Sequence, residues 1–329
     1  MPWADVAPAI AARLGTVTDV GRVHIGDRHL RDEARVGELM GTPVPGQRDR
    51  IRGWRIIRTA IEEDVSAVGG STVSENLARE KYVLRGLQGL ADVESSERTF
   101  QELLDRVLES FRDVTTIGGA FVISGPTVDG VAYTDFGELT CHYAEISFVV
   151  QEYYSVTPVS LPVKSPAASA REYYGDAAAQ LALYLSTVSG SGHVHAARPF
   201  GIDGADRESL FLVPSADDPT MREVRAWRVF RDGNAEGRGL GNLVDGESAW
   251  KVGAWRSWVD AKDTYDDFQR HIDAARAVIR GLPNLGNVDN PTLCLSSPLQ
   301  VGEIGARMLM DLLTHYADCS IAVEEVVHA

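Results

Sequence analysis

Arg52-Gly53-Trp54-Arg55-Ile56-Ile57-Arg58 reappears as Arg225-Ala226-Trp227-Arg228-Val229-Phe230-Arg231, with the tryptophan and all three arginines in register at a separation of 227 − 54 = 173 residues. Downstream, His142-Tyr143-Ala144-Glu145 and His315-Tyr316-Ala317-Asp318 keep the same separation. Upstream, Thr16-Val17-Thr18 followed by Gly21, Val23 and His24 matches Thr187-Val188-Ser189 followed by Gly192, Val194 and His195 at nearly the same offset. One short match arises by chance. Three in the same order point to duplication of one folding unit, and a period this long means two domains and not a solenoid.

Working outward from the Trp-Arg stretch, the residues of each copy predict the same elements. Val6, Ile10, Leu14 and Val17 recur at helical spacing, as do Ala177, Leu181, Leu185 and Val188. The Gly-x-Val-His segment enters a strand, and in the strand that follows Trp54 and Ile56 share a face, as do Trp227 and Val229. The stretches Glu62 to Asn76 and Gly233 to Gly246 are expected to be variable hairpin loops. Phe100, Leu103, Leu104, Val107, Leu108 and Phe111 form one apolar helix face, copied by Phe268, Ile272, Ala275 and Ile279, with Thr264 and Asp267 placed for a capping box. Each copy closes on a strand of period two, His142, Ala144, Ile146, Phe148, Val150 and then His315, Ala317, Cys319, Ile321, Val323. The predicted fold is α+β: two tandem copies of a small antiparallel sheet with two helices packed on one face. The domains are expected at 1–157 and 173–329, joined by a linker at 158–172 that contains Pro158, Pro162 and Pro166.

With 329 residues, 44% of them hydrophobic, the chain can supply a core to each domain. The net charge is −15, with acids exceeding bases in both halves, so neither half is a basic surface for reading nucleic acid. Cys141, Cys294 and Cys319 form no CxxC pair and leave one over, which suits a reducing compartment and argues against a disulfide or metal framework. No basic stretch leading into an apolar one follows Met1, and no apolar run approaches the roughly 18 residues of a membrane helix. The expectation is a soluble intracellular product with no membrane partner.

The search for chemistry yields weak signals. His24, Asp27 and His29 are ligand types at close spacing, and His193 and His195 share a strand face, but satisfied or solvent-facing histidines explain them better. Gly237-Arg238-Gly239-Leu240-Gly241-Asn242 lacks the Lys-Ser/Thr ending of a phosphate loop and reads as a hairpin tip. The carboxylate pairs Glu62-Glu63, Asp266-Asp267 and Glu324-Glu325 are expected to be solvated, in whole or in part. No catalytic, metal or cofactor site is assigned. Trp54, Arg55, Arg58, Trp227, Arg228 and Arg231 are candidates for a protein interface, where Trp and Arg are enriched. The competing reading packs both tryptophans beneath the second helix and leaves Arg48, Arg50, Arg52, Arg55 and Arg58 as an exposed charged edge.

The series Gly-x-Val-His, the Trp-Arg strand, a helix carrying Phe100-Gln101 or Phe268-Gln269, and a last strand beginning His-Tyr-Ala resembles the lambda-like tail terminator and tail-completion proteins of long-tailed bacteriophages. The resemblance applies to each half separately. It implies a structural virion protein of the tail and neck, assembled in the host cytoplasm, with no enzymatic activity and no cofactor. Domains of this family form a ring, commonly of six, that caps the tail tube at its head-proximal end, stops polymerisation and meets the head connector. The implied partners are the chain itself, the tail tube protein and the connector, with DNA passing through unbound. Two domains per chain depart from the usual single domain, so the ring is expected to hold three chains or six. A lumen that lets DNA pass should be acidic, since a cationic wall would gain counterion-release energy and hold it. Candidate lining residues are Glu62, Glu63 and Asp64 with Asp232 and Glu236. The alternative is a duplicated small-ligand-binding enzyme with its pocket between the domains, served by His24 to His29 and Gly237 to Gly241.

Overall fold

Gly21 and Gly192 are the tightest points of the repeat. Both have positive φ, 81° and 70°, and a Cβ on either would run into the backbone of Arg52 or Arg225. Only glycine lets the chain turn so close to the following Trp-Arg strand. Strands β1 (Arg22–Ile25) and β7 (His193–His195) then pair in parallel with β2 (Arg52–Asp64) and β9 (Arg222–Arg238), setting Val23 opposite Trp54 and Val194 opposite Trp227. The two tryptophans stand at the same node of the same topology.

This computed structural model describes residues 3–30, 33–41, 51–64, 76–91, 93–136, 138–154, 173–196, 209–215, 220–238, 243–259, 264–281, 293–295, 297–309 and 312–328. The other elements of the first half are α1 (Trp3–Leu14), α2 (Glu33–Met40), β3 (Asn76–Gly89), α3 (Val93–Arg112), β4 (Thr116–Ile117), β5 (Ala120–Phe136) and β6 (Leu139–Tyr154). Those of the second half are α4 (Tyr173–Ser186), β8 (Leu212–Pro214), β10 (Leu243–Ser257), α5 (Thr264–Arg280), β11 (Leu293–Leu295), β12 (Gln300–Leu309) and β13 (Leu312–His328). The expected linker at 158–172, together with Arg48 and Arg50, lies outside the described residues.

Two compact units are present. The first comprises Met1–Ala60, Arg79–Glu152 and Asp260–Asp266; the second comprises Ile61–Ala78, Tyr153–Val259 and Asp267–Ala329. Hydrogen-bonded strand order is β4-β5-β6-β3-β2 in the first and β12-β13-β10-β9-β7 in the second, where β11 also pairs with β13 and β8 with β9. The last residues of β2 belong to the second unit, where Ile61 pairs with Val301 of β12. Hydrogen bonding therefore continues from β2 into β12. This corrects the expectation of two separate small sheets: the α+β chain builds one large, mostly antiparallel sheet. The predicted loop at Glu62 to Asn76 is shorter than expected, because β2 runs on to Asp64 and β3 begins at Asn76. At Gly233 to Gly246 the ladder persists to Arg238 opposite Val244, past a register irregularity beside Ala249 and Trp250.

Each unit buries its own core between two helices and one face of its strands. In the first, Trp3, Val6, Ile10 and Leu14 of α1 and Phe100, Leu103, Leu104, Val107 and Phe111 of α3 cover Trp54, Ile56, Tyr82, Leu84, Ala144, Ile146, Phe148 and Val150. In the second, α4 and α5 bring Ala177, Leu181, Leu185, Phe268, Ile272, Ala275 and Ile279 onto Trp227, Val229, Trp250, Val252, Ala317, Cys319, Ile321 and Val323. The alternation of the closing strands is what selects these faces. The opposite face of the first unit carries α2, whose Val36 and Met40 pack with Ile51, Leu87, Leu139 and Cys141.

Candidate functional site

Trp54 and Trp227 are buried to the last per cent in these helix-covered cores. Neither indole is open to a partner; the packing reading is the one the structure adopts. Their surroundings differ in one respect. Trp227 Nε1 donates to His271 Nε2 at 2.9 Å, and burial, with Arg256 and Arg225 adding repulsion, pushes that imidazole down to about 4, so it is neutral and can accept. Among the described residues Trp54 Nε1 has no such acceptor.

Arg55 and Arg58 are buried and so do not belong to the expected exposed edge. Arg58 is fully buried, bonded through Nη1 to Glu80 Oε1 at 3.1 Å, with Tyr82 OH donating to the other carboxylate oxygen at 2.8 Å and the Trp3 ring 5.5 Å from the guanidinium. Arg231, its counterpart, is exposed. Arg55 lies on the other sheet face and bonds Asp27 Oδ1 at 2.6 Å and the Arg28 carbonyl at 2.9 Å. Asp27 also meets Arg85, which bonds Glu145 at 2.8 Å, and Tyr143 donates to the same Glu145. In the copy Arg228 instead lies over the Phe230 and Trp255 rings, at 5.0 and 4.7 Å, while Arg307 lies 3.8 Å from the Tyr316 ring. An ionic network has been exchanged for cation–π packing at the same node.

Of the acidic candidates, Glu62, Asp64 and Asp232 are exposed; the Glu236 side chain lies outside the described residues, though its backbone is in β9. Glu63 departs from expectation. Its carboxylate is fully buried between Arg276 and Arg280 of α5, and Tyr154 OH donates to it at 3.0 Å. Burial would raise this carboxyl, but the two guanidinium charges and the Tyr154 hydrogen bond hold it below the usual range. Glu63 is a buried ion of the fold, in contrast to exposed Glu62 and Asp64 beside it.

The histidine readings resolve as structural ties. His24 Nε2 meets the Leu39 carbonyl and His195 Nε2 the Leu210 carbonyl, each at 2.7 Å, so the repeated histidine anchors the segment after its strand in both copies. His142 and His315 both stack on the phenylalanine of the Phe-Gln helix, 5.3 Å from Phe100 and 5.6 Å from Phe268. Sequence reading missed one arrangement: Ser96 Oγ lies 3.0 Å from His142 Nε2 and His142 Nδ1 3.0 Å from Glu97 Oε2. These are the residue types of a hydrolytic triad. Ser96 and His142 are buried, burial lowers the His142 pKa against the pull of Glu97, and the three side chains tie the start of α3 to β6. Among the described residues no group of His, Cys, Asp and Glu is placed to hold a metal ion. Cys141 and Cys319 are buried and unbridged, and burial pushes the Cys319 thiol up to about 12. Among the described residues no helix is long and apolar enough to cross a membrane.

Among the described residues, β5 carries the most exposed large hydrophobic side chains. Phe121 lies within its short pairing with β4; beyond that pairing Ile123, Val131 and Tyr133 are exposed, Tyr133 OH donates to Glu97 Oε2 at 2.9 Å, and the only charges on the strand are aspartates. The strand also carries Pro126 and register irregularities against β6 between Val122 and Ser124, Ser124 and Thr127, and Val128 and Gly130. No family model matches the chain, and none of the curated proteins shows significant similarity to it.

Proposed function

We propose that this chain is a structural virion protein of a long-tailed phage, a duplicated tail terminator that assembles into a ring. The ring closes the head-proximal end of the tail tube, ends its polymerisation and joins the tail to the head connector. The observation that carries the reading is the shared topology: β5-β6-β3-β2 with parallel β1, and β12-β13-β10-β9 with parallel β7, each covered by a helix pair. Two equivalent units in one chain suit equivalent positions in a ring, three chains giving six positions. The exposed apolar strand β5 supplies a surface for assembly. Duplex DNA would pass a lumen bearing Glu62, Asp64 and Asp232, which are exposed and would repel phosphate.

The role needs no bond making and no cofactor, and its site of action is the tail neck of a particle assembled in the host cytoplasm. The test is polymerisation of the cognate tail tube protein with and without this chain. Tubes of bounded length, each with a ring at one end in electron micrographs, are expected. Tubes of unchanged length with bare ends would end the proposal.

A further inference from the structure

The unit repeat makes β5 and β12 equivalent strands. Val128 lies opposite Ile146 and Val301 opposite Cys319, and an irregularity in register follows at the same place in both, between Val128 and Gly130 and between Val301 and Glu303. In the second unit the outer edge of β12 is closed at that point. Ile61 pairs with Val301, the Gln300 amide donates to the Glu63 carbonyl at 2.6 Å, and its oxygen accepts from the Glu63 N–H at 2.8 Å. Val301 is completely buried as a result. In the first unit, pairing on that side of β5 is confined among the described residues to Thr116 and Ile117, opposite Phe121 and Ala120. Val128 is only half-buried and Thr127, the counterpart of Gln300, is exposed.

The strand that corresponds to β2 is β9. Its end, Gly233 to Arg238, pairs with β10 on one side, and no other described strand lies along it. We propose that the end of β9 from a second copy of this chain adds to the outer edge of β5 beside Val128, repeating between chains the closure that the end of β2 makes on β12. Strand addition draws its energy from main-chain hydrogen bonds and its register from a few side chains. Asn234 and Glu236 stand one repeat beyond Ile61 and Glu63. On the helix above, with Phe100 matched to Phe268, Arg112 replaces Arg280 but Leu108 replaces Arg276. The closure between chains therefore keeps one of two cations, which suits a joint made at assembly and not during folding. Every copy offers one β9 end and one β5 edge, so the contact is head-to-tail and propagates into a ring when the rotation closes. This inference rests on the ring reading above and specifies its interface.

The test uses the full chain. Native mass spectrometry of the parent should show closed oligomers. A Val128→Cys, Asn234→Cys double variant should give an interchain disulfide ladder on mild oxidation, while each single variant behaves as the parent. Thr127→Asp, which sets a carboxylate against Glu236, should reduce oligomer formation at least tenfold, and Glu236→Lys in the same chain should restore it. A parent that stays a single chain at every concentration overturns the proposal however the variants fold. Oligomers that neither cross-link nor respond to the charge pair leave the ring standing and remove this interface. Cross-linked oligomers that fail to cap tubes keep the interface and remove the tail reading.

Discussion

Arg58 and Arg231 occupy one position of the repeated Trp-Arg strand, yet the first is sealed beneath Trp3 with Glu80 and the second faces solvent. The apolar residues around them have hardly diverged: Trp54 and Trp227, Ile56 and Val229, Ala144 and Ala317 fill matching places in the two cores. Duplication preserves what close packing requires at every contact, whereas a buried charge survives only where its partners are also present. Polar chemistry is thus the part of the repeat free to differ, and the edge strands follow the same rule. One copy closes β12 with a buried ionic clasp, and in the other, among the described residues, pairing on the outer side of β5 is confined to Thr116 and Ile117.

The largest effect is expected at the arginines. Arg58→Ala removes the guanidinium bonded to buried Glu80 and should cost roughly 3–5 kcal/mol in denaturant unfolding, while Arg231→Ala should stay within about 0.5 kcal/mol. Equal losses at both positions would break the comparison.

A smaller effect separates the tryptophans by pH. His271 has its pKa lowered to about 4 in the folded chain from an ordinary 6.5, so between those values the unfolded state binds the additional proton. Stability from this group is complete above pH 6.5 and is lost as pH falls toward 4, by about 3 kcal/mol. His271→Leu places at that position the residue type of Leu103, its counterpart in α3, and should remove this part of the acid sensitivity. Denaturation curves of the variant that still steepen between pH 6.5 and 4 like the parent's would show that the proton goes elsewhere.

Gly53 and Ala226 give the third contrast. A Cβ at Gly53 would press into Met40 of α2 and stand 2.9 Å from the Arg22 carbonyl, whereas the second copy already carries alanine there. Gly53→Ala should therefore cost about 1–3 kcal/mol, as overpacking does. A thermal melt matching the parent would mean that α2 yields easily.

The core was legible from sequence because it rests on periodicity: the Phe100 to Phe111 face and the strand from His142 to Val150 are buried where their spacing put them. Glu63 was not legible. An acid between Glu62 and Asp64 at a strand end reads as solvated, and its burial depends on Arg276 and Arg280, more than 200 residues away in sequence. Continuity of the sheet was hidden for the same reason, since one pairing of Ile61 with Val301 decides it and leaves no local pattern. Helix α2 was missed although Val36, Leu39 and Met40 recur at helical spacing, because the segment is short and polar overall.

The most direct test is a high-resolution map of the assembled protein on tail tube ends. The account predicts a ring in which the outer edge of every β5 carries the β9 end of a neighbouring chain, with Glu62, Asp64 and Asp232 toward the channel and Arg58 buried. A map of separate chains with β5 bare, or of a ring joined through other surfaces and lined by arginine, would contradict it.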